Sequence, residues 1–250
     1  VQVAFVDSWT VPFSGSGVIV QTRYILSCHH ILEKNEHLIT VRDDGSRWIK
    51  AQLMIDDQKY DAELQIIDVP GKPDHQEPDL KVFYWPEMPG ELLPIAVNTD
   101  TVEKSKVTEP HFALGWQDFA LDQPVSVVND PEGQRREVTL GSENKVVISA
   151  GVLDWNCIDE VEDFDSTLTR STAIALPGFS GGPVVNQAGN LVGLAVQLVN
   201  SDKQTRYDLL GQSMTVARVT GSKFYSMDSW WEDHILKAIE AHRNSLGKTD

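Results

Sequence analysis

A serine enclosed by glycines is the clearest candidate for chemistry in this chain of 250 residues. Ser180 lies in the segment ALPGFSGGPVV, with Gly178 before it and Gly181 and Gly182 after it. Glycine accepts the positive φ of a tight turn and leaves room for a substrate to approach. Such a turn directs the N–H groups of Gly178 and Ser180 toward one point, which is the arrangement of an oxyanion hole. The pattern indicates a nucleophile for acyl transfer, although Gly-Pro segments of this kind also serve as plain loops between strands.

A serine nucleophile needs a base beside it, because its hydroxyl reacts slowly near neutral pH. The chain has seven histidines. Five of them stand in polar or helical settings typical of solvated or locally bonded side chains: His37, His75, His111, His234 and His242. His29 and His30 differ, because they follow the apolar run of YILSCHHIL, itself preceded by a turn-rich GSG at residues 15–17. We expect a strand that ends in this pair beside a loop, which would hold one imidazole in place as the base.

Three segments together resemble the trypsin-like serine peptidases, especially the intracellular and bacterial HtrA-like branch. They are GSGVIV at 15–20, YILSCHHIL at 24–32 and PGFSGGPVVNQAGNLVGLAV at 177–196. The resemblance implies that His30, at the last position of the family's V-L-T-A-A-H pattern, is the general base and that Ser180 is the nucleophile. It also implies a polypeptide substrate, hydrolysis through an acyl-enzyme, an oxyanion hole at Gly178 and Ser180, and no cofactor.

The triad acid is expected between the base and the nucleophile, because the family's order along the chain is His, Asp, Ser. Two aspartates compete for this role. Asp79 is followed by LKVF, which matches the family's D-L-A-L-L strand except at Lys81, whereas Asp61 is followed by AELQ, which departs twice. The family's proline-containing strand and its Gly-Trp strand would then fall at 93–95 and 115–116, which also favours Asp79. We prefer Asp79 and keep Asp61 as the alternative.

The resemblance departs from the family at one regulatory position. Phe179 stands where the trypsin and chymotrypsin branch has an aspartate that pairs with a freshly cut N-terminus. A phenyl ring cannot form that ion pair, so we expect a partner, a fused regulatory domain or the resting fold to order the loop. By the same resemblance, the primary specificity pocket has its base near Ile174 and a wall near Val196 and Leu198. None of these is a carboxylate, which predicts a small or medium hydrophobic side chain in the pocket unless the loops shift the alignment.

The net charge of the chain indicates which classes of binding partner to expect. The chain has 21 Lys and Arg residues against 37 Asp and Glu residues, a formal net charge of -16. This surplus repels phosphate backbones and anionic lipids, so neither nucleic acid nor membrane is an expected partner. Only two cysteines are present, Cys28 and Cys157, too few for a disulfide framework. We therefore expect a reducing, cytoplasmic location, and because the chain begins at Val1 we leave open a leader or a larger parent protein.

A metal site is not expected from the sequence. Cys28, His29 and His30 include soft ligands, but neighbours on a strand point to opposite faces and no CxxC or HxxxH spacing supports them. Cys28 is expected to be a small buried hydrophobe.

Short strands separated by turn signals fill most of the chain, which is typical of an all-β protein. The predicted strands are residues 17–21, 24–27, 37–42, 47–55, 61–69, 80–85, 93–97, 111–116, 124–128, 145–153, 183–185, 190–196 and 212–217. A single helix is predicted over 228–247, where Trp231, Ile235 and Ile239 recur at helical spacing.

With the resemblance, these elements predict an all-β fold of two antiparallel six-stranded Greek-key β-barrels with a C-terminal α-helix. One peptidase domain would span residues 1–250, with the first barrel over about 1–100, the second over about 101–225 and the site between them. The predicted function is serine endopeptidase. The alternative is a catalytically silent protease-like module that binds polypeptides or acts as a scaffold.

Overall fold

The computed structural model describes residues 1–5, 14–33, 35–56, 58–71, 78–100, 110–116, 126–129, 135–138, 146–152, 168–173, 175, 178–209 and 212–247. In these residues the chain is mostly β, with two large antiparallel sheets, a separate two-stranded pair and a C-terminal helix. None of the helices in this part of the chain combines the length and the apolar character needed to span a membrane. The predicted layout of two β units and a terminal helix is confirmed.

The first sheet contains eight strands paired in the order β2-β1-β6-β7-β8-β4-β3, with β5 on β6. They are β1 Gln2–Phe5, β2 Ser14–Ser16, β3 Val18–Gln21, β4 Tyr24–Ser27, β5 Thr40–Val41, β6 Arg47–Ile55, β7 Gln58–Asp68 and β8 Lys81–Tyr84. The two ends of this order, β2 and β3, are separated in sequence only by Gly17, so the sheet curls and its ends approach each other. The end strands are not paired with each other among the described residues, so the sheet does not close into the predicted barrel. It has eight strands where a six-stranded barrel was predicted, because β1 and β2 join six of the seven strands predicted for this region and the strand at 93–97 is missing.

The second sheet contains six strands in the order β12-β9-β14-β15-β16-β13. They are β9 His111–Trp116, β12 Val146–Gly151, β13 Leu168–Ser171, β14 Pro183–Asn186, β15 Leu191–Leu209 and β16 Gln212–Ser226, and β10 Ser126–Asn129 pairs separately with β11 Arg135–Val138. The end strands β12 and β13 meet where the Thr172 N–H donates to the Val152 carbonyl at 2.9 Å. This sheet therefore also curls back on itself.

The C-terminal helix leaves the second sheet and covers the first. It consists of α2 Met227–Trp230, a π-helical segment Trp231–Leu236 and α3 Lys237–Leu246. His242 bridges it to the first sheet, with Nδ1 3.0 Å from Tyr24 Oη and Nε2 3.0 Å from Gln65 Oε1. Burial lowers the pKa of His242, which favours the neutral ring that makes both bonds. The helix thus ties the two β units together.

The segment around His30 is not the strand end that the sequence predicted. Strand β4 ends at Ser27, and His29 begins a short helix, α1 His29–Glu33. The helical turn buries Ile31 and Leu32, and Asn35 Nδ2 donates to the Ile31 carbonyl at 2.9 Å. The apolar run has no local signal for this change, because an apolar stretch this short suits a strand as well as a buried helical turn. The strand predicted at 93–97 is also absent among the described residues, apart from an isolated bridge.

Candidate active site

A hydrogen-bonded histidine–aspartate pair lies where β4 and β8 meet. His30 is in α1, and Asp79 stands just before β8. The Asp79 Oδ2 atom is 2.6 Å from His30 Nδ1, and Oδ1 accepts the His30 backbone N–H at 2.7 Å. Both side chains are about one third exposed, 30% for His30 and 29% for Asp79. The carboxylate therefore fixes both the backbone and the ring of His30 while leaving the ring accessible.

Asp79 is also held from the second sheet. Its backbone N–H donates to Tyr225 Oη at 2.9 Å. Tyr225 is buried on β16, and its ring contacts that of Trp230, in α2, edge-on with 5.0 Å between centroids. The aspartate is thus positioned by residues from both β units.

The other aspartate proposed from the sequence lies elsewhere. Asp61 is exposed on β7, where it is paired with Gln52 of β6 and accepts a bond from Gln52 Nε2 at 3.1 Å. Asp79, and not Asp61, is the carboxylate in contact with His30.

Lys81, the departure from the family pattern, has a structural partner. Its side chain is only 5% exposed, and Nζ lies 2.6 Å from Asp68 Oδ1 on the neighbouring strand β7. Burial favours the neutral form of Asp68, but the bonds from Lys81 and Arg47 outweigh this and lower the pKa of that carboxyl. The buried ammonium group of Lys81 is therefore paired with the Asp68 carboxylate. This pairing explains how β8 accommodates a charged residue close to Asp79.

The loop that carries Ser180 has a backbone that requires glycine. Gly178 and Gly181 have φ values of +95° and +82°. A Cβ on Gly181 would overlap the Ser16 carbonyl oxygen and the Ser27 hydroxyl, and it would lie 3.0 Å from the backbone nitrogen of Cys28. Any side chain there is excluded, so the loop packs directly on the segment that leads into His30. This contact places the backbone next to Ser180 against the segment that leads into His30, and no hydrogen bond joins the Ser180 and His30 side chains in the described part of the chain.

Ser16 fastens the serine loop to the first sheet. Its backbone N–H donates to the Ser180 carbonyl at 2.8 Å, and its hydroxyl donates to the Gly178 carbonyl at 2.7 Å. The Ser27 hydroxyl in turn donates to the Ser16 carbonyl at 2.7 Å. These bonds orient the two peptide groups on either side of the Ser180 turn.

The amides of this turn are available to a ligand. No residue in the described part of the chain accepts a hydrogen bond from the N–H of Gly178 or of Ser180. The Ser180 hydroxyl is 3.4 Å from the Val196 carbonyl, a long and weak bond. A serine hydroxyl beside two amide donors that have no acceptor among the described residues is an arrangement suited to acyl transfer.

Phe179 stabilises the loop by packing. Its side chain is fully buried, and a Cβ on Gly115 of β9 would overlap its ring. The buried Phe179 ring, packed against β9, thus occupies the position at which the trypsin and chymotrypsin branch has an ion pair.

The predicted specificity pocket is described only in part. Val196 is half-buried on β15, and Leu198 follows on the same strand. Ile174 and the side chain of Leu198 lie outside what the structure describes, so the pocket stays a prediction.

Cys28 lies beneath the histidine–aspartate pair, which the sequence did not predict. It is fully buried between β4 and α1, and Sγ is 3.4 Å from the Ala195 carbonyl. One ligand atom from each of Cys28, His30 and Asp79 lies within 4.8 Å of the others. The sequence argument concerned adjacent side chains, whereas Cys28 and His30 are two residues apart, at the point where the chain leaves β4 for α1. Burial, and then the charge of Asp79, raise the pKa of the Cys28 thiol.

Two positioning residues were missed at the sequence level. The GSG signal pointed to the segment that contains Ser16, but not to a bond between its hydroxyl and the serine loop. Tyr225 has no local signal, because its contact with Asp79 joins residues 146 positions apart.

The family model described as "trypsin-like peptidase domain" matches residues 15–194. No curated protein sequence matches significantly.

Solved structures of proteases resemble this chain, and two of them share its fold with a TM-score of 0.50. The MamO protease domain from Magnetospirillum magneticum has 17% identity and a TM-score of 0.50, over 91% of this chain and 92% of that one. The mouse serine protease neuropsin has 13% identity and a TM-score of 0.50, over 91% of this chain and 89% of that one. The HtrA-type protease AlgW with a decapeptide has 15% identity and a TM-score of 0.44, over 96% of this chain and 55% of that one. This chain thus spans about half the length of AlgW.

Proposed function

Since this chain belongs to the trypsin-like peptidase family, we propose that it is a serine endopeptidase with His30, Asp79 and Ser180 as its triad. The observation that carries the proposal is the Asp79–His30 pair, 2.6 Å between Oδ2 and Nδ1, which follows the segment on which Gly181 of the Ser180 loop packs. An aspartate bonded to Nδ1 keeps the ring proton there, so Nε2 is left as the proton acceptor.

In the first half of the proposed reaction, Ser180 Oγ attacks the carbonyl carbon of the scissile peptide bond. His30 Nε2 takes the hydroxyl proton, and the Asp79 carboxylate stabilises the imidazolium that results. The N–H groups of Gly178 and Ser180 donate to the negative oxygen of the tetrahedral intermediate. His30 then gives its proton to the leaving amine, the C–N bond breaks, and an ester to Ser180 remains.

In the second half, water replaces the amine. His30 takes a proton from the water as it attacks the ester carbonyl, and the same two amides stabilise the second oxyanion. Collapse of this intermediate breaks the ester bond, and His30 returns the proton to Ser180 Oγ. The residues named supply a nucleophile, a base and an oxyanion hole, so the proposed reaction uses no cofactor.

The proposal extends to substrate and setting. An apolar pocket near Ile174, Val196 and Leu198 would take a small or medium hydrophobic side chain. The net charge of -16 would steer basic or neutral polypeptides toward the protein. A partner or fused domain would adjust the loop that Phe179 anchors, and the scarcity of cysteine is compatible with a cytoplasmic location.

Covalent labelling by a fluorophosphonate probe tests the proposal. We expect wild type to be labelled, Ser180→Ala to be unlabelled and His30→Ala to be labelled far more slowly, because the probe reacts with an activated serine. Ser171→Ala is the matched control. Ser171 Oγ is 2.5 Å from His111 Nε2, but this pair is buried, so its loss should leave labelling intact. Wild type that is never labelled would favour the silent, polypeptide-binding alternative.

The hydroxyl of Ser16 has a predicted effect on turnover. Ser16→Ala removes the 2.7 Å bond that orients the Gly178 carbonyl. Deleting an oxyanion donor outright costs about 10²- to 10³-fold in kcat, so loosening the loop is expected to cost about 10-fold, with KM nearly unchanged. Steady-state kinetics on a peptide substrate measures both parameters.

Ser222→Ala is the matched control for Ser16→Ala. The Ser222 hydroxyl is also buried and donates to a backbone carbonyl, that of Ala173, at 2.7 Å. An equal loss of kcat in both variants would show that the effect is general destabilisation and not positioning of the loop.

A further inference from the structure

The catalytic pair shares its surroundings with a thiol. One ligand atom from each of Cys28, His30 and Asp79 lies within 4.8 Å of the other two. The thiol is fully buried, while His30 and Asp79 are 30% and 29% exposed. An ion approaching from the exposed side would thus meet the imidazole and the carboxylate first and the sulfur beneath them.

The chemistry of these three groups is that of zinc ligands. Thiolate, imidazole and carboxylate bind Zn²⁺ at about 2.3, 2.0 and 2.1 Å, and tetrahedral angles then separate the ligand atoms by roughly 3.3 to 3.6 Å. The nitrogen–oxygen pair, now 2.6 Å apart, would open slightly, and the sulfur would close in from its present position. Rotation of the His30 and Asp79 side chains, both partly exposed, can supply these shifts.

The charges also suit the ion. A thiolate from Cys28 and the Asp79 carboxylate neutralise a divalent cation, so the loaded site carries no net charge at its buried end. The ion replaces the thiol proton, which passes to solvent. Three protein ligands leave a fourth position for water on the exposed side.

We propose that Cys28, His30 and Asp79 form a binding site for a thiophilic divalent ion such as Zn²⁺, and that the bound ion inhibits the chain. Inhibition rests on the proposed function, whereas binding does not. An ion on His30 Nδ1 takes the place of the proton there and leaves the neutral ring protonated on Nε2. That nitrogen can no longer accept the Ser180 proton, so the nucleophile is not activated.

Cobalt substitution in the Ser180→Ala variant tests binding apart from catalysis. Addition of Co²⁺ should produce a thiolate-to-cobalt charge-transfer band that saturates at one equivalent and disappears when Zn²⁺ is added. Cys157 is the chain's other cysteine, so Cys157→Ser is the matched control and should keep the band. Cys28→Ser and Asp79→Asn should weaken cobalt binding by at least about 100-fold, since even loss of an outer-shell partner costs 10- to 100-fold.

Three results would overturn the site: no band in any variant, a band lost with Cys157→Ser, or a band that survives Cys28→Ser. If Cys28→Ser does not fold, X-ray absorption of the zinc-loaded Ser180→Ala protein replaces it. One sulfur neighbour at about 2.3 Å supports the site, and a shell of nitrogen and oxygen alone contradicts it.

Zinc inhibition is measured separately, as the ratio of the hydrolysis rate with zinc to the metal-free rate of the same variant. We expect Cys28→Ser to need at least about 100-fold more zinc for half-inhibition than wild type. Equal zinc sensitivity in the two proteins would reject Cys28 as the inhibitory ligand. An inactive wild type that still shows the cobalt band would overturn the proposed function and leave the metal site standing.

Discussion

Replacement of Ser180 with alanine is expected to lower kcat for peptide hydrolysis by about 10⁶-fold. The alanine variant has no atom that can form the acyl-enzyme, so only direct attack by water remains. Residual catalysis of about 10³- to 10⁴-fold over the uncatalysed reaction should persist, because the amides of Gly178 and Ser180 still bind the oxyanion. Steady-state kinetics on a peptide with an apolar residue before the scissile bond measures the loss.

A double variant of Ser180 and His30 tests whether the two residues act together in lowering the barrier to hydrolysis. His30→Ala alone is expected to cost about as much as Ser180→Ala, because the serine and its base act as one unit. Ser180→Ala combined with His30→Ala should therefore be no slower than either single variant. Ser171→Ala, at the buried serine next to His111, should keep near wild-type kcat. Turnover retained by Ser180→Ala, or a further 100-fold loss in the double variant, would contradict the assigned roles.

The second large effect is expected at Asp79. Asp79→Asn should lower kcat by about 10⁴-fold, because the asparagine can present an N–H to His30 Nδ1 and stabilise the wrong tautomer of the ring. The Asp79 Oδ1 atom also accepts the His30 backbone N–H at 2.7 Å. The asparagine carbonyl can keep that bond, so the fold should survive and the loss should fall on kcat.

Asp61→Asn is the matched control for Asp79→Asn. Asp61 is exposed on β7 and bonds Gln52, so its replacement is expected to change kcat by less than about 2-fold. Circular dichroism of both variants should match that of wild type. A large loss of kcat in Asp61→Asn with none in Asp79→Asn would reverse the assignment, and no loss in either would reject the triad.

The supports of the site come from both β units. Ser16 and Ser27 of the first sheet hold the Ser180 turn, while Tyr225 of the second sheet holds the Asp79 backbone. Phe179 anchors the turn in the second core. A change in the packing of the two units would therefore be expected to move Ser180 and Asp79 together.

Much of this protein follows from its sequence because the signals are local. Turn residues between short apolar runs predict strands, and helical spacing around Trp231 predicts the terminal helix. The glycines at 178 and 181 predict a turn that only glycine accepts, and the observed φ values of +95° and +82° are of that kind. Local backbone sterics and hydrophobic periodicity act over a few residues, so one sequence suffices to read them.

Other features depend on contacts between distant residues, and only the tertiary structure decided them. Asp61 and Asp79 both follow the base in an acceptable order, and the pairing of β4 with β8 brings Asp79 to His30. The fold also places the fully buried Cys28 beside this pair. The types and the order of the residues can be read directly from the sequence. The distances between side chains depend on strand register and packing, which a local sequence pattern does not determine.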